Sequence, residues 1–322
     1  MGQMISGPLT LGVDLGGTKV NVALVDVIGR LLSTHKCSTH PNKEPKMVIA
    51  DILTGINECL SKAGQEAKAL GLGVAAQVDF NGVVQDSPNL GWQNVPLKKK
   101  LEEKLGMPVI VTNDVRAAAW GEWHHGSGRS IDHLVVLFVG TGIGGGVISG
   151  GKLLAGCTNT GGELGHTTIV FNGRRCHCTN KGCLEAYAGG WAIAERTQEA
   201  INREPREGKY LKSLARGVEK ITAATVSQAY HQGDPLARRI VLETGRYLGA
   251  GVVSVVNAFN PCRLVLGGGV LEGIPELVQM VEYLTRKRAL KAAVQKLEIV
   301  KAKLGGNAGV IGAAALAQDL VK

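Results

Sequence analysis

Apolar positions alternate with polar or small ones from Leu9 to Asp26, with Leu11 and Val13 before the run Asp14-Leu-Gly-Gly-Thr-Lys19 and Val20, Val22 and Leu24 after it. A period of two on both sides of glycines predicts a β-hairpin. Met47 to Ala63 has the spacing of an amphipathic helix, and Ala69 to Val78 is small and apolar enough for a buried strand. Asp79 to Pro96, with its Gly, Asn and Pro, predicts a long functional loop. Pro108 to Thr112 predicts a short strand ending at Asn113-Asp114, followed by a helix from Val115 to His124. His133 to Val139 is a further strand, and after Gly140-Thr-Gly-Ile-Gly-Gly-Gly the chain continues through Val147 as strand and turn. This second strand, glycine turn and strand resembles the first, which predicts a duplicated fold with a phosphate-binding turn in each half.

Farther on, Gly190 to Arg203 and Thr222 to Gln232 predict helices, and Asp234 to Phe259 predicts a long one ended by Asn260-Pro261. Arg263 to Leu266 predicts a strand leading to Gly267-Gly-Gly269 and a helix from Ile274. A glycine loop at such a junction lets a ring or phosphate approach the backbone. Lys291 to Lys303 contains an edge-like strand, and Asn307 to Leu320 predicts an Ala-rich closing helix.

At 322 residues, with 44% hydrophobic and 20% charged residues, the chain has room for about two globular domains. No apolar run reaches the length of a membrane span, and Met1 to Gly7 lacks the regions of a signal peptide, so a cytoplasmic protein without a membrane partner is expected. Seven cysteines, an odd number, argue against a disulfide framework. The net charge of +9 admits an anionic partner, but Lys98 to Lys100 and Arg286 to Arg288 lie in helix-like surroundings that read as solvated faces. With aromatics at 4%, stacking platforms for single strands are few, and no nucleic-acid partner is expected.

The chemistry gathers between Gly161 and Tyr187. His166, Cys176, Cys178 and Cys183 offer one imidazole and three thiols, the donor set of a structural Zn²⁺, although free cysteines are also common as plain buried residues. His177 is the rival imidazole, but ligand cysteines on both sides of it would turn it away. Glu163 and Glu185 lie just outside the ligands, so closing the metal knot would bring two carboxylates towards one place. In the first hairpin, Gly16 and Gly17 permit close approach of an anion, Thr18 adds a hydroxyl, Lys19 a charge, and Asp14 an acceptor for hydrated Mg²⁺. The alternative there is an ordinary Gly-Gly turn. Asn113-Asp114 reads equally as a helix cap or as a general base at the mouth of a sheet.

Taken together, these motifs resemble the ROK family of bacterial sugar kinases and repressors over nearly the whole chain. Asp14 to Lys19 and Gly140-Thr141-Gly142 look like its two phosphate motifs, and Gly267, Gly268 and Gly269 fall in its adenosine motif. Gly162-Glu-Leu-Gly-His166, Cys176-His-Cys178 and Gly182-Cys-Leu-Glu185 resemble its sugar-and-zinc signature. The resemblance implies an α/β protein of the actin-like ATPase (ribonuclease H-like) fold, two lobes around a cleft. Residues 1–115 and 304–322 would form the small lobe, and 116–303 the large lobe with the zinc loop.

It further implies ATP-dependent phosphorylation of a hexose, most of all glucose, with an N-acetylhexosamine or other hexose as the alternative. Asp114 would be the base, Asn113, Glu163, His166 and Glu185 would bind hydroxyls, and zinc on His166, Cys176, Cys178 and Cys183 would be structural. ATP, Mg²⁺ and Zn²⁺ are the implied cofactors, and a homodimer or homotetramer the implied assembly. Val74-Ala-Ala-Gln77, Val115-Arg116 and Thr179 depart from the family pattern. Family repressors carry an N-terminal helix-turn-helix, and eight residues before Leu9 would not hold one.

Overall fold

The computed structural model describes residues 7–321, so Met1 to Ser6, on which most of the signal-peptide argument rests, lie outside the described residues. The first strand, β1 (Thr10–Leu15), turns into β2 (Lys19–Val25) with Asp14 opposite Asn21 and Leu15 opposite Val20. Then follow β3 (Leu31–Ser38), α1 (Pro45–Ala63), β4 (Ala69–Val74), β5 (Gln77–Val78), β6 (Val84–Ser87), β7 (Trp92–Val95), α2 (Leu97–Leu105), β8 (Val109–Asn113) and α3 (Asp114–His125). The loop expected over Asp79 to Pro96 instead carries β6 and β7, which with β5 just before it form a small antiparallel sheet. Its strands, two to four residues long, are too short to show a period.

The chain continues as β9 (Leu134–Val139), β10 (Ile143–Ser149), β11 (Lys152–Leu153), α4 (Glu185–Ala188), α5 (Gly190–Arg203), α6 (Lys209–Ala215), α7 (Ala223–His231) and α8 (Pro235–Phe259). After them come β12 (Arg263–Gly267), α9 (Gly269–Gly273), α10 (Glu276–Arg288), α11 (Lys291–Val294), β13 (Glu298–Lys301) and α12 (Ala308–Gln318). Asp234 caps α8 by accepting from the Ala237 N–H at 2.8 Å, and Asn260 ends it in the left-handed region. Both residues do what their types favour at those positions.

Two sheets carry the fold, in the orders β3-β2-β1-β4-β8 and β11-β10-β9-β12-β13. In the first, β1 pairs antiparallel with β2 and parallel with β4; in the second, β9 and β13 both run parallel to β12. The repeated order bears out the duplication read from the two glycine turns. The chain divides into two units, Met1–Asp132 with Gly146–Gly162 and Ala302–Lys322, and His133–Gly145 with Glu163–Lys301.

In the first unit, Leu11, Val13, Val22, Leu70 and Leu72 join Ile52 and Ile56 of α1 in one core. Each such side chain contributes about 1.5–3 kcal/mol on burial. The other face of β1 and β4 carries α12 at very short range. A Cβ on Gly12 would lie 1.9 Å from the Val310 carbonyl oxygen, and one on Gly71 would lie 1.8 Å from that of Ala313. The fully buried Glu122 of α3 secures the approach to α12: Oε1 accepts the N–H groups of Lys303 and Leu304 at 2.9 and 2.7 Å, and Oε2 that of Ser127 at 2.8 Å. Among the described residues no helix is long and apolar enough to cross a membrane.

Candidate active site

In the first unit, Asp14 sits near the end of β1 and the turn begins two residues later. The Gly16 N–H donates to the Lys19 carbonyl at 2.9 Å, and the Thr39 hydroxyl donates to the Gly16 carbonyl at 2.8 Å. Gly16 and Gly17 are partly covered, while Thr18 and Lys19 are exposed. The hairpin therefore presents a hydroxyl and an ammonium beside a half-buried carboxylate. Burial pushes the Asp14 carboxyl above the usual carboxylate range, against the opposing pull of Asn21, whose amide donates to Oδ2 at 3.3 Å, and of Lys36. A carboxylate so placed gains from a cation.

Strand β8 ends at Asn113, and the helix begins at once. Asn113 takes the cap: its Oδ1 accepts from the N–H groups of Val115 and Arg116 at 2.9 and 3.0 Å. Its Nδ2 donates to the Ala76 carbonyl at 3.3 Å, so the divergent Val74 to Gln77 segment sets this residue's position. The cap question left open for the pair thus resolves onto Asn113, with Asp114 in the first helical turn. Arg116, another departure, is buried and donates to the carbonyl and side-chain oxygens of Asn159. Asn159 in turn donates to the carbonyls of Val78 and Asp79, which ties the segment before Gly161 to the small sheet.

In the second unit, the turn Gly140-Thr141-Gly142 receives a carboxylate from elsewhere. Glu185 Oε2 accepts the Ile143 N–H at 2.7 Å and Oε1 accepts the Trp191 indole N–H at 3.2 Å. A Cβ at Gly142 would lie 2.3 Å from Oε2, so the glycine is needed to admit the carboxylate. The exposed Glu163 precedes the 3₁₀ turn Leu164–His166, and Gly165 packs so closely on Ile143 that a Cβ there would meet its carbonyl oxygen at 2.0 Å. The Glu163–His166 turn and Glu185 thus both meet the start of β10.

The four expected ligands converge, with their ligand atoms all within 4.8 Å of one another. Cys176 Sγ lies 3.6 Å from His166 Nδ1, and Cys178 Sγ lies 3.6 Å from Cys183 Sγ. A tetrahedron with Zn–S near 2.3 Å and Zn–N near 2.0–2.1 Å has edges of roughly 3.4–3.8 Å, so this spacing suits a shared ion and is far too long for a disulfide. Burial pushes the Cys176 thiol up to about 12 and raises Cys183 as well, which favours ionisation only beside a cation. His177 turns away as expected and stacks on Trp191, ring centroids 4.1 Å apart and planes 23° apart. Thr179, at the position where the family pattern has glycine, adopts φ +72°, costly for a β-branched residue.

A cavity of about 740 Å³ opens in the second unit. Gly140, Thr141 and Gly269 line it, together with Trp191 and the start of α7 from Thr222 to Ala224. The three glycines after β12 divide the work: Gly267 ends the buried strand, Gly268 takes φ +98° against the Val139 backbone, and Gly269 faces open space. The cavity walls at Trp191, Thr222 to Ala224, Ser227 and Gln228 escaped the sequence reading. Their signals were faint: a Thr cap before α7 and the Gly189-Gly190 pair before α5.

The repeated strand order, with a glycine turn and an acidic group in each half, defines a phosphotransferase-type scaffold of the actin-like ATPase fold. The sequence model of the ROK family matches residues 10–320, and the chain belongs to that family. It is 36% identical to the glucokinase of Streptomyces coelicolor over 315 residues, 97% of this chain and 98% of that one. The ROK family glucokinase of Streptomyces griseus, solved in complex with glucose and AMPPNP, has 36% identity and a TM-score of 0.84, covering 97% of this chain and 99% of that one. A xylose repressor of Caldicellulosiruptor bescii is 30% identical over 312 residues, 94% of this chain and 77% of that protein.

Proposed function

We propose that this chain is an ATP-dependent glucokinase that transfers the γ-phosphoryl group of Mg²⁺-ATP to the 6-hydroxyl of glucose. The observation that carries this reading is the near full-length similarity to glucokinases at 36% identity, above that to the repressor at 30%. Asp114 accepts the proton of the 6-hydroxyl, the sugar oxygen bonds to the γ-phosphorus, and ADP leaves. Asn113, Glu163, His166 and Glu185 hold the remaining hydroxyls, carboxylates giving charge-assisted acceptance. The turns Gly16-Gly17-Thr18-Lys19 and Gly140-Thr141-Gly142 hold phosphates, and the cavity beside Gly267-Gly268-Gly269 takes the adenosine.

Asp14 orients the hydrated Mg²⁺ that accompanies the nucleotide. That ion neutralises charge on the phosphates, and the protein supplies positioning. Zinc on His166, Cys176, Cys178 and Cys183 is structural, since four protein ligands leave no place for a reacting water. The free thiols suit a cytoplasmic enzyme, and a homodimer or homotetramer is its working form. ATP consumption measured across glucose, other hexoses and N-acetylhexosamines tests the reading. Glucose is expected to give the highest kcat/KM; a preferred N-acetylhexosamine, or no turnover with any sugar, overturns it.

A further inference from the structure

Trp191 stands where four features of the second unit meet. Its backbone N–H donates to the Thr141 carbonyl at 3.0 Å, beside a Gly190 N–H to Gly140 carbonyl bond of 2.9 Å, so the start of α5 is pinned to the glycine turn. Its indole N–H donates to Glu185 Oε1 at 3.2 Å. Its ring stacks on His177, the residue between two of the converging thiols. Its side also lines the 740 Å³ cavity.

We infer that Trp191 is a positioning residue through which occupancy of the nucleotide cavity and closure of the ligand loop act on the Glu185 carboxylate, an inference that rests on the glucokinase reading. The physical reason is the lack of independent freedom. The other Glu185 oxygen is held by the Ile143 N–H at 2.7 Å, and Cys176 Sγ reaches Oε1 only at 4.0 Å, so the nearer indole N–H selects the rotation of the carboxylate. The indole cannot shift without moving either the cavity wall or the stack on His177. A nucleotide resting on the wall limits the indole, and the limited indole fixes the carboxylate that binds sugar. Coupling of this kind is reciprocal, each ligand raising the affinity of the other by one factor. The loop has a second strap to the same helix, since Arg174 pairs with Glu199 at 2.7 Å, so loss of the indole leaves the loop attached.

Trp191→Phe keeps a ring for the stack and the wall but removes the donor, and His177→Ala removes the stack but leaves the donor. Three readouts on the zinc-loaded protein decide the matter: glucose affinity by calorimetry with and without a non-hydrolysable ATP analogue, the rate of metal loss to a chelating dye, and tryptophan emission on adding the analogue. Trp92, Trp120 and Trp123 all lie in the first unit, so emission sensitive to Trp191→Phe isolates this residue. In the parent, the analogue is expected to tighten glucose about fivefold or more, the lower end of typical couplings. Trp191→Phe is expected to bring that factor below two and to abolish the emission change, with metal loss within twofold of the parent. His177→Ala is expected to speed metal loss at least threefold. Parent-like coupling in Trp191→Phe, or an emission change that survives it, overturns the inference. If Trp191→Phe fails to fold, parent-like metal loss in His177→Ala overturns it instead. A parent that phosphorylates no hexose overturns the glucokinase reading, while the emission and chelator measurements need no turnover and still judge Trp191.

Discussion

The two units place their acids by different means. In the first, Asp14 is the last residue but one of β1 and Asp114 opens α3 directly after β8, so two strand ends set them. In the second, Glu185 is delivered by a loop of some twenty residues that folds around four converging ligands before α4 begins. The same strand order therefore supports one placement of acids that needs only strand ends and another that needs a folded loop. Substitutions in the first unit should change chemistry with little change in structure, and those in the second should act through the loop.

The largest expected effect breaks the knot. Cys183→Ser, at a fully buried thiol of the proposed zinc site, should lose bound zinc by elemental analysis and lose detectable glucose binding by calorimetry. Retained binding without metal would mean that the loop orders Glu185 unaided.

Next is Asp114→Asn. Because Asn113 holds the cap, the substitution leaves α3 capped, and removal of a general base costs on the order of 10² to 10⁴ in rate. Turnover should fall at least about a hundredfold with melting close to the parent. Loss of less than tenfold would remove Asp114 from the base role and point to Glu163.

Asp14→Asn should lower kcat on the order of a hundredfold, the scale of one lost electrostatic contact, while sugar binding without nucleotide persists. Its stability should move the other way. Burial raises the folded-state pKa of Asp14, so the native state binds more protons than the unfolded one in the window above 3.8, and stability falls as pH rises through it. The Asn variant lacks that slope and should melt at or above the parent temperature at neutral pH. A clear loss of stability there would show that the carboxylate is already well compensated.

The smallest effect sharpens the contrast within the loop. Thr179→Gly removes a left-handed β-branched residue and should stabilise the metal-bound protein by about 1 kcal/mol, the low end of such strain, visible as slower metal loss to a chelator.

What could be read from the sequence follows the same division. Elements with a long period or a strong cap were legible: α8 between Asp234 and Asn260, α5 from Gly190 to Arg203, and the hairpin around Asp14. That His166 rather than His177 meets the three thiols was legible too, because cysteines converging on either side of a residue fix its direction. β3 was missed because Ser33, His35 and Lys36 leave neither face apolar, as suits a half-exposed edge strand. The need for glycine at position 142 was hidden because its cause, Glu185, lies 43 positions away and meets it only in the folded unit. The cavity walls were hidden for the same reason: Trp191 and Thr222 have no sequence relation to Gly140.

The seating of α12 on Gly12 and Gly71 also governs the order in which a growing polypeptide can mature. Most of the first unit is synthesised early, yet the face of its sheet at Gly12 and Gly71 stays open until residues 308–318 are made, after the whole of His133–Lys301. At roughly 5–20 residues per second, that interval is on the order of ten seconds or more. Throughout it the ribosome-bound chain leaves β1 and β4 open to a binder of nascent strands, and the second unit has its full complement of residues before the first does.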